Sequence, residues 1–317
     1  MPHGDEHGRG KEFDGKTFLY IKTHALDNGT EPLPAGLESW LSPDIVVIKP
    51  DGTRGGEAVA GDINQVEVTV TNDGGIDAVD AYVEAFVANP SVGFTPATST
   101  LVGAGFLTIP GYSRQAISFS WMPPPSEAGH RCLAARVNLT IPPDGYYDGT
   151  VFDVRGDRHV AQRNISVIPL GTMPMMLFSF RVINPKGAKQ RYALQVRQVT
   201  DPRRLRSIGQ TLGSDLVQFS ARELKGFGLR MGRAIQAEDQ ESGGAAPRTT
   251  ALLAATPRSA PGKRAFRLDM AAREARTCEL ILTREPGATL GELHVLEVVQ
   301  LDAREKVIGG LTVVVQH

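Results

Sequence analysis

Alternating hydrophobic and polar positions are the dominant pattern of this chain, and the clearest example is the run from Val66 to Gly75. Valines at 66, 68 and 70 alternate with polar residues before the run ends in Asn-Asp-Gly-Gly. A period of two is typical of a half-buried β-strand, and the closing cluster is typical of a turn. Similar runs recur almost to His317, so the pattern predicts an all-β protein.

The spacing of these runs predicts two immunoglobulin-like β-sandwiches and an extended N-terminal arm. The arm is residues 1–42, the first sandwich 43–170 and the second 171–317, because Gly/Pro/Asn/Asp clusters separate short strands throughout. The arm is expected to lie either against the first sandwich or against another subunit. Strands of the first sandwich are predicted at 45–48, 65–71, 79–88, 114–121, 131–138 and 164–168. Those of the second are predicted at 177–183, 191–200, 215–220, 266–270, 278–284, 293–302 and 307–315, the last two as a terminal hairpin.

Two segments lack this periodicity. Residues 1–16 are polar and rich in His and Gly, and such an arm is mobile unless a neighbour orders it. Residues 234–262 are rich in Gly and Ala and contain three prolines, which predicts a long loop. Loops of that length are either functional or disordered.

Composition places the chain among ordinary globular proteins, but its charge is unevenly distributed. The 317 residues are 41% hydrophobic and 22% charged. Residues 1–170 carry 12 Lys and Arg against 21 Asp and Glu (−9), whereas residues 171–317 carry 22 against 14 (+8). This asymmetry reflects either charge-complementary packing, between domains or head to tail between subunits, or two unrelated surfaces.

The compartment is not determined by the sequence. Cys132 and Cys278 lie in strand-like apolar runs, so we expect two buried free thiols, which favour a reducing compartment. The N-terminus has no apolar core typical of a secretory signal, and no window approaches 18 continuous apolar residues. The expectation is a cytoplasmic protein or one exported by a leaderless route, with no membrane insertion.

Several phrases of the first sandwich resemble one known domain class. These are SPDIVV at 42–47, VEVTVTNDGG at 66–75, a late Trp-x-Pro at 121–123, GHRCLAARV at 129–137 and HVAQRNI at 159–165. They resemble a bacterial immunoglobulin-like domain of the CARDB type (cell-adhesion-related domain of bacteria), over about residues 42–170 only. The resemblance implies the sandwich fold, but such domains serve as spacers, adhesin modules and enzyme appendages alike. One departure is Gly-Asp-Arg-His at 156–159, where the family has a run of asparagines.

One loop gathers carboxylates that suit a metal. Asp144, Asp148, Asp153 and Asp157 lie among glycines, and Ca²⁺ takes six to eight oxygen ligands from flexible loops of this kind. The spacing does not match an EF-hand, so the alternative is a solvated turn. Calcium is therefore a candidate ligand, and no other cofactor is expected.

No catalytic motif is present in the sequence. There is no Gly-x-Ser-x-Gly elbow and no phosphate-binding glycine loop, so we expect a protein that is not an enzyme. The candidate interface residues are Trp40 in the arm and the basic segment with Arg203, Arg204 and Arg206. Few aromatic residues accompany these arginines, which argues against binding of single-stranded nucleic acid.

These observations favour a structural or interaction protein. The leading hypothesis is a protein that assembles with itself or with a larger bacterial complex, through the arm, the charged faces and the sheet edges. The alternative is an adhesin-like or carbohydrate-binding module that recognises its ligand through loops at the sandwich ends. A hydrolase has no motif to support it.

Overall fold

The computed structural model describes residues 13–34, 37–55, 57–127, 131–212, 219–224, 226–235, 263–284 and 287–317. In chain order, the strands and the helix α1 are β1 (Leu19–Tyr20), β2 (Ile45–Ile48), β3 (Asn64–Asn72), β4 (Ala78–Ala88), β5 (Ser91–Val92), β6 (Thr100–Ile109), β7 (Ser113–Trp121), β8 (Cys132–Leu139), β9 (Asp144–Gly145), β10 (Val160–Arg163), β11 (Ile165–Pro169), β12 (Met175–Ile183), β13 (Gln190–Val199), α1 (Pro202–Leu212), β14 (Phe227–Ile235), β15 (Lys263–Met270), β16 (Ala275–Thr283), β17 (Leu293–Leu301) and β18 (Val307–Gln316). The predicted all-β class is confirmed. No helix among the described residues is long and apolar enough to cross a membrane.

The chain divides into two compact units. Unit 1 comprises residues 1–87, 99–129 and 133–163, and unit 2 comprises residues 88–98, 130–132 and 164–317. Neither unit is therefore a contiguous stretch of sequence, because short segments of the chain alternate between the two. The strands that the first sandwich was expected to contain are distributed over both units.

Unit 1 is a sandwich of two antiparallel sheets. In one sheet, β3 is central, with β1 and β2 along one edge and β7 along the other. The other sheet has the order β10-β8-β4-β6, and β9 also pairs with β8. The valines that define the alternation of β3 are fully buried, because they point into the core between the sheets. The ring of Phe119 from β7 joins that core.

The described part of the N-terminal arm is integrated into unit 1. Leu19 and Ile21 are fully buried in its core, and β1 pairs with β3. The Asn72 side chain, at the end of β3, accepts a hydrogen bond from the backbone amide of Phe18. Residues 13–34 and 37–42 are thus held by the sandwich of their own chain. Residues 1–12 lie outside the described residues.

Unit 2 is also built from two sheets around one core. Their strand orders are β11-β18-β17-β13-β15 and β14-β16-β12-β5. The expected terminal hairpin is confirmed, since β17 and β18 are antiparallel neighbours. Residues 164–170, expected in the first sandwich, belong here because β11 runs parallel to β18 in the larger sheet.

Several elements of the structure differ from the predicted pattern, among them the short strands β5 and β9. The strand β6 and the strand β14 were not predicted, because glycines interrupt their alternation. The basic segment after Asp201 forms the helix α1, whose buried Leu205 and Ile208 are three residues apart and whose start is capped by Asp201. Of the predicted strand 215–220, residues 215–218 lie outside the described residues, as do residues 236–262 of the expected loop 234–262, whose first two residues end β14.

Candidate functional site

The predicted calcium ligands do not form one site. Asp144 and Asp157 are buried on either side of the His159 ring, with Oδ1 of each 2.8 Å from a ring nitrogen. The remaining oxygens are also occupied, because Asp144 Oδ2 accepts from the Leu19 amide and Asp157 Oδ2 from the Tyr147 amide, both at 2.7 Å. These carboxylates are therefore bound to protein donors.

The other two predicted ligands lie in local turns. The Asp148 carboxylate accepts hydrogen bonds from the backbone and hydroxyl of Thr150, and the Asp153 carboxylate accepts one from the Gly156 amide. Among the residues that the structure describes, no group of three or more His, Cys, Asp or Glu side chains is arranged to hold a metal. The arrangement is a solvated turn beside a buried ion cluster.

Around His159, the buried ion cluster joins the N-terminal segment to the loop 144–159. Arg158 Nη2 lies 2.7 Å from Asp144 Oδ1, and Nη1 of the same arginine forms an ion pair with Glu31. The Tyr147 hydroxyl donates to the same glutamate. Glu31 and Leu19 both belong to the segment that was predicted to be an arm. The cluster thus fixes that segment on unit 1.

The pKa shifts in the cluster favour its ionised form. Burial by itself lowers the pKa of His159, but its hydrogen bonds to Asp144 and Asp157 outweigh that effect and hold it above the ordinary value of 6.5. Burial likewise raises the pKa of Asp144, but the bonds from His159 and the Leu19 amide bring it below 3.8. A charged imidazole donates from both nitrogens, which matches its two carboxylate partners.

The predicted interface residues have different environments. Trp40, a predicted interface residue, is only 2% exposed, so its ring packs in the interior of this chain. Arg204 forms an ion pair with the fully buried Glu297, which also binds Arg197 Nε at 2.9 Å. Only the first and last predicted arginines of α1, at 203 and 206, are exposed.

The strand β6 of unit 1 was not predicted from the sequence, and half of its ten residues are exposed. Within the described residues, β6 pairs with β4 alone and so forms the edge of its sheet. Its sequence, Thr-Leu-Val-Gly-Ala-Gly-Phe-Leu-Thr-Ile, has no charged residue and no proline. Large apolar side chains on it remain exposed, with 68% of Phe106 and 50% of Leu101 accessible. The available signal was a run of thirteen uncharged residues, 97–109, between Pro96 and Pro110.

The two faces of β6 differ in their surroundings. Gly103 and Gly105 face the interior, where a Cβ atom on Gly103 would lie 2.6 Å from Cδ1 of Phe119 on β7. On the other face, the Phe106 ring packs against Tyr82 of β4 with a centroid distance of 5.3 Å. The interior side is therefore closed by close packing, whereas Phe106 and Leu101 on the outer side are exposed to solvent.

The two cysteines have the environment of structural residues. Both are free and buried, as expected from their apolar runs. Burial raises the pKa of each thiol to about 12. Since the thiolate is the reactive form, neither is prepared to act as a nucleophile near neutral pH.

No protein-family model matches the chain, and no curated protein matches it. Solved structures similar to the chain include two of a CARDB domain from Pyrococcus furiosus. One, in complex with di-metal ions, is 17% identical, with 34% of this chain and 77% of that chain covered and a TM-score of 0.24. The other, a solution structure, is 19% identical, with 39% and 94% covered and a TM-score of 0.25. Both matches cover only part of the chain, about a third, and fit a partial CARDB-like segment.

Other similar structures come from adhesins and from enzymes. The collagen adhesin of S. aureus is 10% identical, with 89% of this chain and 96% of that chain covered and a TM-score of 0.26. A Paenibacillus glucanotransferase and the red sea bream transglutaminase also match.

Proposed function

We propose that this protein is a non-enzymatic interaction protein that binds an extended polypeptide along β6. The observation that supports it is the edge strand itself, which is ten residues long, uncharged and exposed. An edge strand presents a row of backbone N–H and C=O groups that an added strand can pair with. Binding of this kind takes its affinity from main-chain hydrogen bonds and its specificity from alternate side chains.

The absence of charge and proline from β6 supports this proposal, although an irregularity at Val102 interrupts its pairing with β4. Proteins usually guard long edges with lysines, prolines or inward-pointing charges. Over residues 100–109 there is no charged residue and no proline, and the first proline stands at position 110, after the strand has ended. A long apolar edge without charge or proline is an aggregation hazard unless a partner covers it.

The side chains beside the edge supply a contact surface. Phe106, Tyr82 and Leu101 lie on the outer face, where an added strand would place its own alternate side chains. Exposed aromatic rings are typical anchors of protein interfaces, because they bury a large area with little loss of rotamer entropy. An occupant with apolar side chains on one face fits this surface.

Hydrogen exchange with a peptide panel tests the proposal. Uncharged extended peptides of varied sequence, one of them with the β6 sequence and lysines outside the strand, are added to the full chain. Binding is expected to slow amide exchange at residues 100–109, while peptides with a central proline give no effect. If no peptide protects these amides, the proposal is wrong.

A second candidate function is a carbohydrate-binding or adhesin-like module. It is favoured by the loop after β8, where 82% of Ile141 and 65% of Tyr147 are exposed at one end of unit 1. Exposed aromatic rings on loops are a common way to contact a ligand. Glycan-array binding that is lost in Tyr147→Ala, and unchanged by a charge on β6, would favour this function over strand addition.

A further inference from the structure

We infer that the strand which pairs with β6 is β6 of a second copy of this chain, in antiparallel orientation about a two-fold axis at Gly105. This inference rests on the proposed function, because it names the partner of the same edge. Symmetric pairing of one strand with itself is the simplest closed assembly that a single exposed edge can form. Three properties of β6 support it: its charge, its faces and its side-chain sizes.

The charge of β6 permits pairing with itself. Like charges directly opposite each other destabilise a sheet, and β6 brings none to the pair. The edge strands β7 and β15 both contain charged residues, Arg114 in the first and Arg267 and Asp269 in the second. Among these three edge strands, β6 is the one that can pair with its own copy without placing a charged residue at the contact between the two strands.

The faces of β6 fix the register. Ala104 and Phe106 pair with Glu84 and Tyr82 of β4 and are exposed, whereas residues 103, 105 and 107 point inward and are half-buried. Residues directly opposite in a sheet must lie on the same face, and a slip of one residue would mix the two faces. An axis at Gly105 satisfies this rule over the regular part of the strand.

The side-chain sizes match in this register. Phe106 of each copy lies opposite Ala104 of the other, and Leu107 lies opposite Gly103, so each large side chain faces a small one. Gly105 of each copy lies opposite Gly105 of the other at the axis. The pairing covers part of the exposed Phe106 ring, which the free chain leaves 68% accessible.

Charge reversal across the seam tests this register in the full chain. Wild-type protein is expected to show concentration-dependent doubling of its mass of 34.1 kDa by light scattering after gel filtration. Ala104→Lys and Phe106→Glu each place like charges near the axis and are expected to weaken dimerisation at least tenfold. An equimolar mixture of the two variants is expected to restore it, because the lysine introduced in one copy then faces the glutamate introduced in the other.

The matched control is Ala116→Lys, which puts the same charge on an exposed position of the other edge strand, β7. It is expected to leave the dimer intact, and tryptophan fluorescence checks that every variant is folded. A wild-type chain that stays monomeric at every concentration overturns the inference, as does a dimer that Ala104→Lys leaves unchanged or that mixing fails to restore. If the chain is monomeric while peptides still protect residues 100–109, the partner is a different polypeptide and the proposed function stands.

Discussion

Replacement of the buried imidazole by a neutral amide, His159→Gln, is expected to destabilise unit 1 and to change its response to pH. The ring is 1% exposed and bridges Asp144 and Asp157 at 2.8 Å on both sides. Glutamine has no positive charge and cannot donate to both carboxylates in the geometry of the ring. Two buried carboxylates then lose their shared cation.

The size of the effect follows from the surroundings of each carboxylate. Removal of one partner from a buried ion pair costs about 3–5 kcal/mol. Asp144 retains Arg158 Nη2 at 2.7 Å, and Asp157 retains the Tyr147 amide. The remaining donors place the expected loss at the lower end, about 3 kcal/mol, which is a large part of the stability of an ordinary domain.

Tryptophan fluorescence during urea unfolding measures this loss selectively. The chain has two tryptophans, Trp40 and Trp121, and both belong to unit 1. Their transition therefore reports unit 1 and not unit 2. His294→Gln is the matched control, because it places the same substitution at a fully buried histidine of unit 2 and is expected to leave the tryptophan transition unchanged.

The pH dependence gives a second, signed readout. Because the folded-state pKa of His159 lies above 6.5, its contribution is fully present below pH 6.5 and is lost as pH rises through the folded-state value. The difference in the free energy of unfolding between wild type and His159→Gln should therefore become smaller at alkaline pH. Burial lowers the pKa of His294, so protonation at acidic pH destabilises unit 2 instead. A variant as stable as wild type below pH 6.5 would refute the reasoning.

Three further predictions concern packing, charge and thiol reactivity. Gly103→Ala should destabilise unit 1 by about 1–3 kcal/mol in the tryptophan assay, because its Cβ meets Phe119, whereas Gly15→Ala, with open space around it, should be neutral. Glu297→Ala should lower the melting temperature of unit 2 by calorimetry, because it leaves two arginines without their buried partner. Both cysteines should react with a thiol reagent only on denaturation, and rapid labelling of native protein would contradict their burial.

The alternation of side chains predicted most of the sheet structure. Runs such as Val66, Val68 and Val70 determine which face of a strand is buried, and this is local information. The strand β6 was not predicted because Gly103 and Gly105 occupy inward positions where the alternating pattern requires large apolar residues. The two glycines leave room for Ile117 and Phe119 of the opposite sheet. This packing depends on the tertiary structure, so the sequence of β6 alone does not reveal it.

The buried ion cluster shows the same limit more clearly. The sequence drew attention to Asp144 and Asp157 as oxygen ligands, and both do lie close together. Their partner proved to be His159, and the cluster is completed by Glu31, which is more than a hundred residues away along the chain. Spacing identifies carboxylates that share a loop, but it gives no information about the donors that another segment brings to them.

The interleaved course of the chain restricts how this protein can be divided. Residues 88–98 leave unit 1, contribute the fully buried Val92 to the core of unit 2, and are followed by β6 of unit 1. A fragment that begins at residue 171 would therefore lack β5 and β11, and the sheets of unit 2 would be incomplete. Recombination could not transfer either unit as one uninterrupted gene segment, so the two are expected to be inherited, expressed and lost together.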